Sequence, residues 1–231
     1  MRIAIVNEVS TADRNADVVR SLEGRGHEII NAGMKQSSEP TELTVLHTSF
    51  LSALLLATGR ADFIVAGCGT GHGYEIAVNQ YPGVYSGRIL TPLDAWLFTQ
   101  INGGNVVSLA LNLGYGWAAD VNVRMIFDAL FSVESGAGYP PPRRSTQQES
   151  RRLLHGISDV THRSMAEIVG GLPDRVVVPA LTYPGIWELL AIDTLEDREL
   201  ARALQDRHDR AIAEREGTRD AHSSVMPTSG D

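Results

Sequence analysis

The stretch from Asp62 to Gly73 constrains this chain more than any other. Asp62–Gly67 is a run with apolar residues on both faces, which reads as a central strand of a parallel sheet with helices above and below it. It passes straight into Gly67-Cys68-Gly69-Thr70-Gly71-His72-Gly73, with glycine at every second position. A loop so poor in Cβ atoms lets its backbone N–H groups turn inward and approach a ligand. A buried strand, a glycine loop and then a helix form one half of an α/β unit.

The flanking segments extend the pattern. Arg2–Val6 is a β-branched apolar run that ends at the polar Asn7-Glu8, and His27–Ala32 reads as a second strand. Between them Val18, Val19 and Leu22 recur at helical spacing within Asp13–Gly24, which Gly24 and Gly26 close. Leu43–Thr58 is a leucine-rich amphipathic helix that stops at Gly59. After the glycine loop come a helix from Tyr74 to Gln80, a strand over Gly83–Leu90, a helix over Pro92–Ile101, a strand over Val106–Leu111 and a helix over Trp117–Phe131. This alternation predicts an α/β fold: a doubly wound, Rossmann-like parallel sheet of five strands with helices on both faces. Such sheets bind ligands beyond the carboxyl ends of their strands, where the strand order reverses. That places Asn7-Glu8 and Cys68–Gly73 at the expected site.

Composition shifts at Ser135. Residues 1–134 read as the α/β domain, and 135–168 as a Pro- and Arg-rich arm followed by a helix. Residues 169–231 form a C-terminal extension, in which Val176–Val178 reads as a short strand and Ile186–Glu216 as charged helices. The last dozen residues have few apolar groups and are expected to lack structure.

A formal net charge of −8 argues against a nucleic-acid or anionic-membrane surface, because both need clustered Lys and Arg. No apolar run reaches the roughly 18 residues that a membrane span requires. One cysteine leaves no intrachain disulfide, and a reducing cytoplasm is the simplest setting. Cysteine and histidine lack metal-ligand spacing.

The glycine loop carries the chemistry. Converging N–H groups hold an anion or a developing oxyanion. N–H dipoles also favour the thiolate form of a nearby cysteine, and Cys68 stands where the loop begins. A base beside an oxyanion hole suits aldose–ketose isomerisation. A proton leaves the carbon next to a carbonyl, an enediolate forms, and the proton returns to the neighbouring carbon. Neither a metal nor an organic cofactor is needed for this.

Cys68-Gly69-Thr70-Gly71-His72-Gly73-Tyr74-Glu75-Ile76-Ala77-Val78-Asn79, followed by Pro82-Gly83-Val84, resembles the signature of the ribose-5-phosphate isomerase B, LacA and LacB family. Ile3-Ala4, Gly26–Ile30, His47, Asn102 and Asn105 match as well, so the resemblance covers about residues 1–131. It implies a sugar-phosphate isomerase in which Cys68 moves the proton, Thr70 orients the open-chain sugar, and Gly69, Gly71, His72 and Gly73 form the anion hole. It further implies substrate contacts from Glu8, His47, Asn102 and an arginine of the arm, Arg151 being the nearest counterpart. A homodimer or homotetramer, joined through the arm, is expected. The departures are specific. The family's first-strand Asp-His pair falls on Glu8-Val9, its ring-opening histidine on Ile101, and two of its arginines on Tyr85 and Asn112. Phosphate and ring-opening contacts are rewritten, while the enediolate machinery is kept.

Plainer readings compete at each position. A lone cysteine ending a strand often serves as a small hydrophobe. Thr70, Glu8 and His47 are placed to cap turns or helices, His72 to face solvent, Asn102 to shape a turn, and the arm arginines to coat a helix. Gly67–Gly71 also resembles a methyltransferase or dinucleotide-binding loop. Those need an acid at the end of the following strand, and Gly83–Leu90 ends in Leu90-Thr91-Pro92. A non-catalytic sugar-phosphate-binding paralogue is the remaining alternative.

Overall fold

A computed structural model describes residues 1–223, with side chains to residue 214. Five strands, β1 (Arg2–Val6), β2 (Glu28–Asn31), β3 (Phe63–Cys68), β4 (Ser86–Ile89) and β5 (Val106–Ala110), form one sheet in the order β2-β1-β3-β5-β4. All four pairings are parallel. The strand order reverses between β1 and β3, so Glu8 and Cys68 flank the crevice where such sheets bind ligands.

Alternation along each strand sends side chains into two cores. Ile3, Ile5, Phe63, Val65, Val107 and Leu109 meet α1 (Asn15–Leu22), α4 (Pro92–Leu97) and α5 (Ala119–Leu130) on one face. Ala4, Val6, Ile64, Ala66 and Val106 meet α2 (Val45–Ala57) and α3 (His72–Val78) on the other. The π-helical turn Phe98–Asn102 follows α4, and α6 (Arg144–Thr161) carries the arm.

The extension corrects two readings. α7 (Met165–Gly171), α8 (Asp174–Leu181), α9 (Ile186–Leu190) and α10 (Arg198–Ser223) join the α2 core. Val176–Val178 therefore belongs to a helix and not a strand; a short apolar run carries no period of its own, and Val176 and Val177 are buried in that core. α2 is not simply amphipathic either. Residues Thr48–Leu55 are all buried, because the sheet covers one side of the helix and α8 the other. The final helix runs to Ser223, four residues into the stretch expected to lack structure. The remaining eight, 224–231, lie outside the described residues. Among the described residues, no single helix is long and apolar enough to cross a membrane.

β3 and β5 approach so closely that a Cβ on Gly67 would lie 2.1 Å from the Leu109 carbonyl oxygen. Gly67→Ala is expected to cost about 3 kcal/mol or more, since strand backbone has to move. Gly156→Ala, in open space on α6, should gain about 0.5–1 kcal/mol from helix propensity. Urea unfolding of both variants checks the contrast.

His27, just before β2, packs edge-on against Phe131 at 4.8 Å between ring centroids. Burial first, then the N-terminal ammonium and Arg25, lower its pKa from the ordinary 6.5. The neutral ring is the folded form, so its contribution is present above pH 6.5 and fades as pH falls below that value. His27→Phe should flatten the acid side of a stability–pH profile measured between pH 7 and about 5.

Candidate active site

Cys68 is the last residue of β3 and pairs with Ala110. Cys68 is 8% exposed, while Thr70, His72 and Gly73 beyond it are exposed, so the cysteine forms the floor and the loop the rim. Sγ lies 3.9 Å from Thr70 Oγ1. A Cβ on Gly73 would stand 3.8 Å from it, which is space that glycine leaves open above the sulfur.

The loop's carbonyls are fastened from behind. Cys68 O accepts from Gly71 N and Leu111 N at 3.2 Å each, and Gly69 O from Asn112 N at 3.1 Å and Leu113 N at 2.8 Å. Thr70 O accepts from Arg88 Nε at 2.7 Å, and Gly71 O from Ser108 Oγ at 2.5 Å. With φ at +79°, Gly71 holds a left-handed conformation that suits glycine. The amides of Gly73 and Tyr74 open the first turn of α3 and have no intrahelical acceptor. Of the expected anion hole, the Gly71 amide closes the turn on Cys68 and the His72 amide leans 3.4 Å toward Thr70 Oγ1. Gly73 passes beside the thiol, and Gly69 lies against Asn112 and Ser10.

Glu8 reaches this site by an unexpected route. Its buried carboxylate accepts from Ser10 N at 3.0 Å and, by a short bond, from Ser10 Oγ. Ser10 Oγ lies 3.6 Å from where a Gly69 Cβ would be, and Ser10 O accepts from Asn112 Nδ2 at 2.7 Å. The loops after β1, β3 and β5 thus meet at Gly69. Asn112, which replaces a family arginine, ties them together.

Three expected contacts stand elsewhere. His47 Nδ1 accepts from Thr44 N at 2.9 Å and caps α2, while Nε2 lies 2.8 Å from Arg175 O. That carbonyl is free because Pro179, one helical turn on in α8, has no N–H to give it. One nitrogen of His47 therefore caps α2 and the other joins it to the extension, and neither is left for a substrate. Asn102 precedes β5, whereas Cys68 lies level with that strand's last residue; about 13 Å of strand separates the two ends. Arg151 donates to Gly136 O at 3.1 Å and Gly103 O at 3.4 Å. With Asn102, Tyr85, Leu154 and Ile157 it lines a groove of about 580 Å³ beside α6. Within one chain these residues do not meet Cys68.

Two residues escaped the sequence reading, Ser108 and Arg88. Ser108 was signalled by a polar side chain inside an otherwise apolar strand, whereas Arg88 follows Ser86 and Gly87 in an edge strand that gives no such signal. Among the described residues, no three His, Cys, Asp or Glu side chains gather as a metal cluster.

Comparison with known proteins decides the family. Ribose/galactose isomerases match residues 3–134. This chain belongs to that family. Ribose-5-phosphate isomerase B of Escherichia coli K12 is 36% identical over 92 residues, 40% of this chain and 60% of that protein. A 4-deoxy-4-sulfo-D-erythrose isomerase of a Clostridium species is 24% identical over 117 residues, 51% of this chain and 69% of its own. Two solved structures also follow the extension. One is a 4-deoxy-L-threo-5-hexosulose-uronate ketol-isomerase complexed with tartrate, 34% identical, with a TM-score of 0.85 over 90% of this chain and 100% of its own. The other is a ribose-5-phosphate isomerase from Vibrio parahaemolyticus, 34% identical, with a TM-score of 0.84 over 90% of this chain and 99% of its own. The relatives are sugar isomerases, and the extended form is shared by two of them.

Proposed function

We propose that this chain is an aldose–ketose isomerase for an open-chain, anionic sugar that has no hydroxyl with which to close a ring, a 4-deoxy-5-keto hexuronate being the best fit. The observation that carries the reading is Ile101, which stands where the family's ring-opening histidine falls. The substrate named for the ketol-isomerase neighbour is deoxygenated at C4 and carries a carbonyl at C5, so neither position offers a ring-closing hydroxyl. The sulfo-erythrose of the clostridial relative has its sulfonate on C4 in place of that hydroxyl. Both are open-chain substrates, for which a ring-opening histidine is superfluous. Tyr85 and Asn112, in place of family arginines, fit a substrate without the phosphate of ribose 5-phosphate. A phosphate-terminated tetrose satisfies the ring argument too and is the second substrate to test.

In this reading the Cys68 thiolate removes the proton from C2 of the aldehyde form. The electron pair moves toward the carbonyl and gives an enediolate, whose oxygen the Gly73 and Tyr74 amides hold. The protonated thiol then returns the proton to C1. Thr70 Oγ1, beside the sulfur, orients the carbonyl end. Ser10, hydrogen-bonded to buried Glu8, moves the second proton between the two oxygens. Metal and organic cofactor have no part in the scheme.

The arm makes the assembly. Leu153, Leu154, Ile157 and Val160 expose an apolar stripe on α6, with Val160 85% exposed. We assign it to a twofold contact between copies of this chain, as expected of a homodimer working in the cytoplasm. Ile157→Asp should yield a monomer in sedimentation velocity, where the parent sediments as a dimer.

Steady-state assays across the deoxy-keto-hexuronate, erythrose 4-phosphate and ribose 5-phosphate test the substrate. The uronate should give the highest kcat/KM, ahead of ribose 5-phosphate by about tenfold or more; a preference for ribose 5-phosphate overturns the reading. Cys68→Ser should lower kcat by about 10²–10⁴ with an unchanged melting temperature.

A further inference from the structure

We propose that Arg88 reads the anionic end of the substrate: the outer edge of its guanidinium binds the carboxylate of the sugar whose reacting carbons lie over Cys68. The inference rests on the isomerase reading above, but it adds a contact that neither the glycine loop nor the arm supplies.

Placement comes first. Arg88 sits on β4 in register with Ser108 of β5. Its stem crosses toward β3, so that Cγ and Nε would lie 3.2 Å from a Cβ on Gly71. Nε donates to Thr70 O at 2.7 Å, the carbonyl of the residue whose hydroxyl lies beside the thiol. The guanidinium is thus built against the catalytic loop and held there by a single bond.

Its unused capacity points outward. A guanidinium has five N–H donors in a fixed fork, and the bond to the loop uses the one on Nε. Among the described residues, neither terminal nitrogen of Arg88 has a hydrogen-bond or ion-pair partner. Glu75 Oε1 accepts from the Arg88 backbone N at 3.0 Å, and among the described residues the Arg88 side chain forms no ion pair. Using Nε on the loop fixes the plane of the fork and leaves the paired terminal nitrogens for a carboxylate in the two-bond geometry that arginine favours.

Other cations near the strand ends are committed elsewhere. Arg14 lies over the Tyr115 ring at 4.7 Å and Lys35 over the Tyr183 ring at 5.9 Å. Arg60 bonds Leu190 O and Ala191 O, and Arg151 bonds Gly136 O and Gly103 O. Arg88 is the cation bonded to the glycine loop among the described residues. The position asks for a sugar whose anion lies at the far end of an extended chain.

The test measures charge preference, not activity alone. Binding of tartrate, an open-chain dicarboxylate, and of threitol, its uncharged counterpart in carbon number, is titrated by calorimetry for the parent, Arg88→Gln and Arg88→Lys. The parent should prefer tartrate by at least tenfold. Arg88→Gln should lose that preference while its threitol binding stays within threefold, and Arg88→Lys, which keeps the charge, should retain part of it. Loss of tartrate and threitol binding in equal measure would show that Arg88 only shapes the loop, and would overturn the proposal. An unchanged preference in Arg88→Gln, or no preference in the parent, would overturn it too. These titrations are independent of which sugar the enzyme turns over. A parent that prefers ribose 5-phosphate would therefore refute the substrate reading and leave the Arg88 result to stand or fall separately.

Discussion

The site depends on one arrangement: the carbonyls of Cys68, Gly69, Thr70 and Gly71 are each held from behind by a neighbouring element. A glycine-rich segment free in solution samples many backbone states, and ordering it costs about 1–2 kcal/mol per residue. Here the β5 end, the loop after it, Ser108 and Arg88 supply that order before any ligand arrives. Amides that face the ligand then need no rearrangement when charge develops, and that is the condition for electrostatic stabilisation of an enediolate. The same fastening requires β3 and β5 to lie close, so Gly67 is demanded by packing while Gly71 is demanded by conformation.

The extension supports the site from the opposite side. Tyr183 donates to Gly33 O at 3.2 Å and bonds Glu39. A Cβ on Gly33 would lie 2.2 Å from Asn7 N, so the loop after β2 rests directly on the strand end that carries Glu8. His47 links α2 to the carbonyl that Pro179 leaves free. Two joints therefore connect the added helices to the β1 and β2 ends and to α2. They account for the burial of α2 on nearly all sides. In the shorter relatives of the family this layer is absent from the matched length, whereas two neighbours of similar extent share it.

The sheet was legible because each strand carries its own signal: two-sided apolar runs for β3 and β5, and glycine or polar stops at the strand ends. The loop was legible for the same reason, since alternating glycines after a buried strand have few other uses. What escaped depends on contacts between distant segments. Val176–Val178 has no period long enough to separate helix from strand, and only packing against α2 decides it. His47 reads as a site residue until Arg175 and Pro179, far along the chain, are seen to claim it. Asn102 and Arg151 lie apart from Cys68 within one chain; the matched motif fixes their place in the sequence and not the strand end they occupy. Arg88 was passed over because an arginine in a strand is usually an exposed edge residue; its hydrogen bond to Thr70 is visible only once the strands are ordered.

The most direct measurement of the central claim is solvent-proton exchange. The parent and Cys68→Ser are incubated with the preferred sugar in deuterated water, and deuterium at the carbon next to the carbonyl is followed by proton NMR. Deuterium should enter with turnover in the parent and fall to the background rate when the sulfur is replaced by oxygen. Exchange that continues at the parental rate in Cys68→Ser would show that another group takes the proton, and would contradict the account.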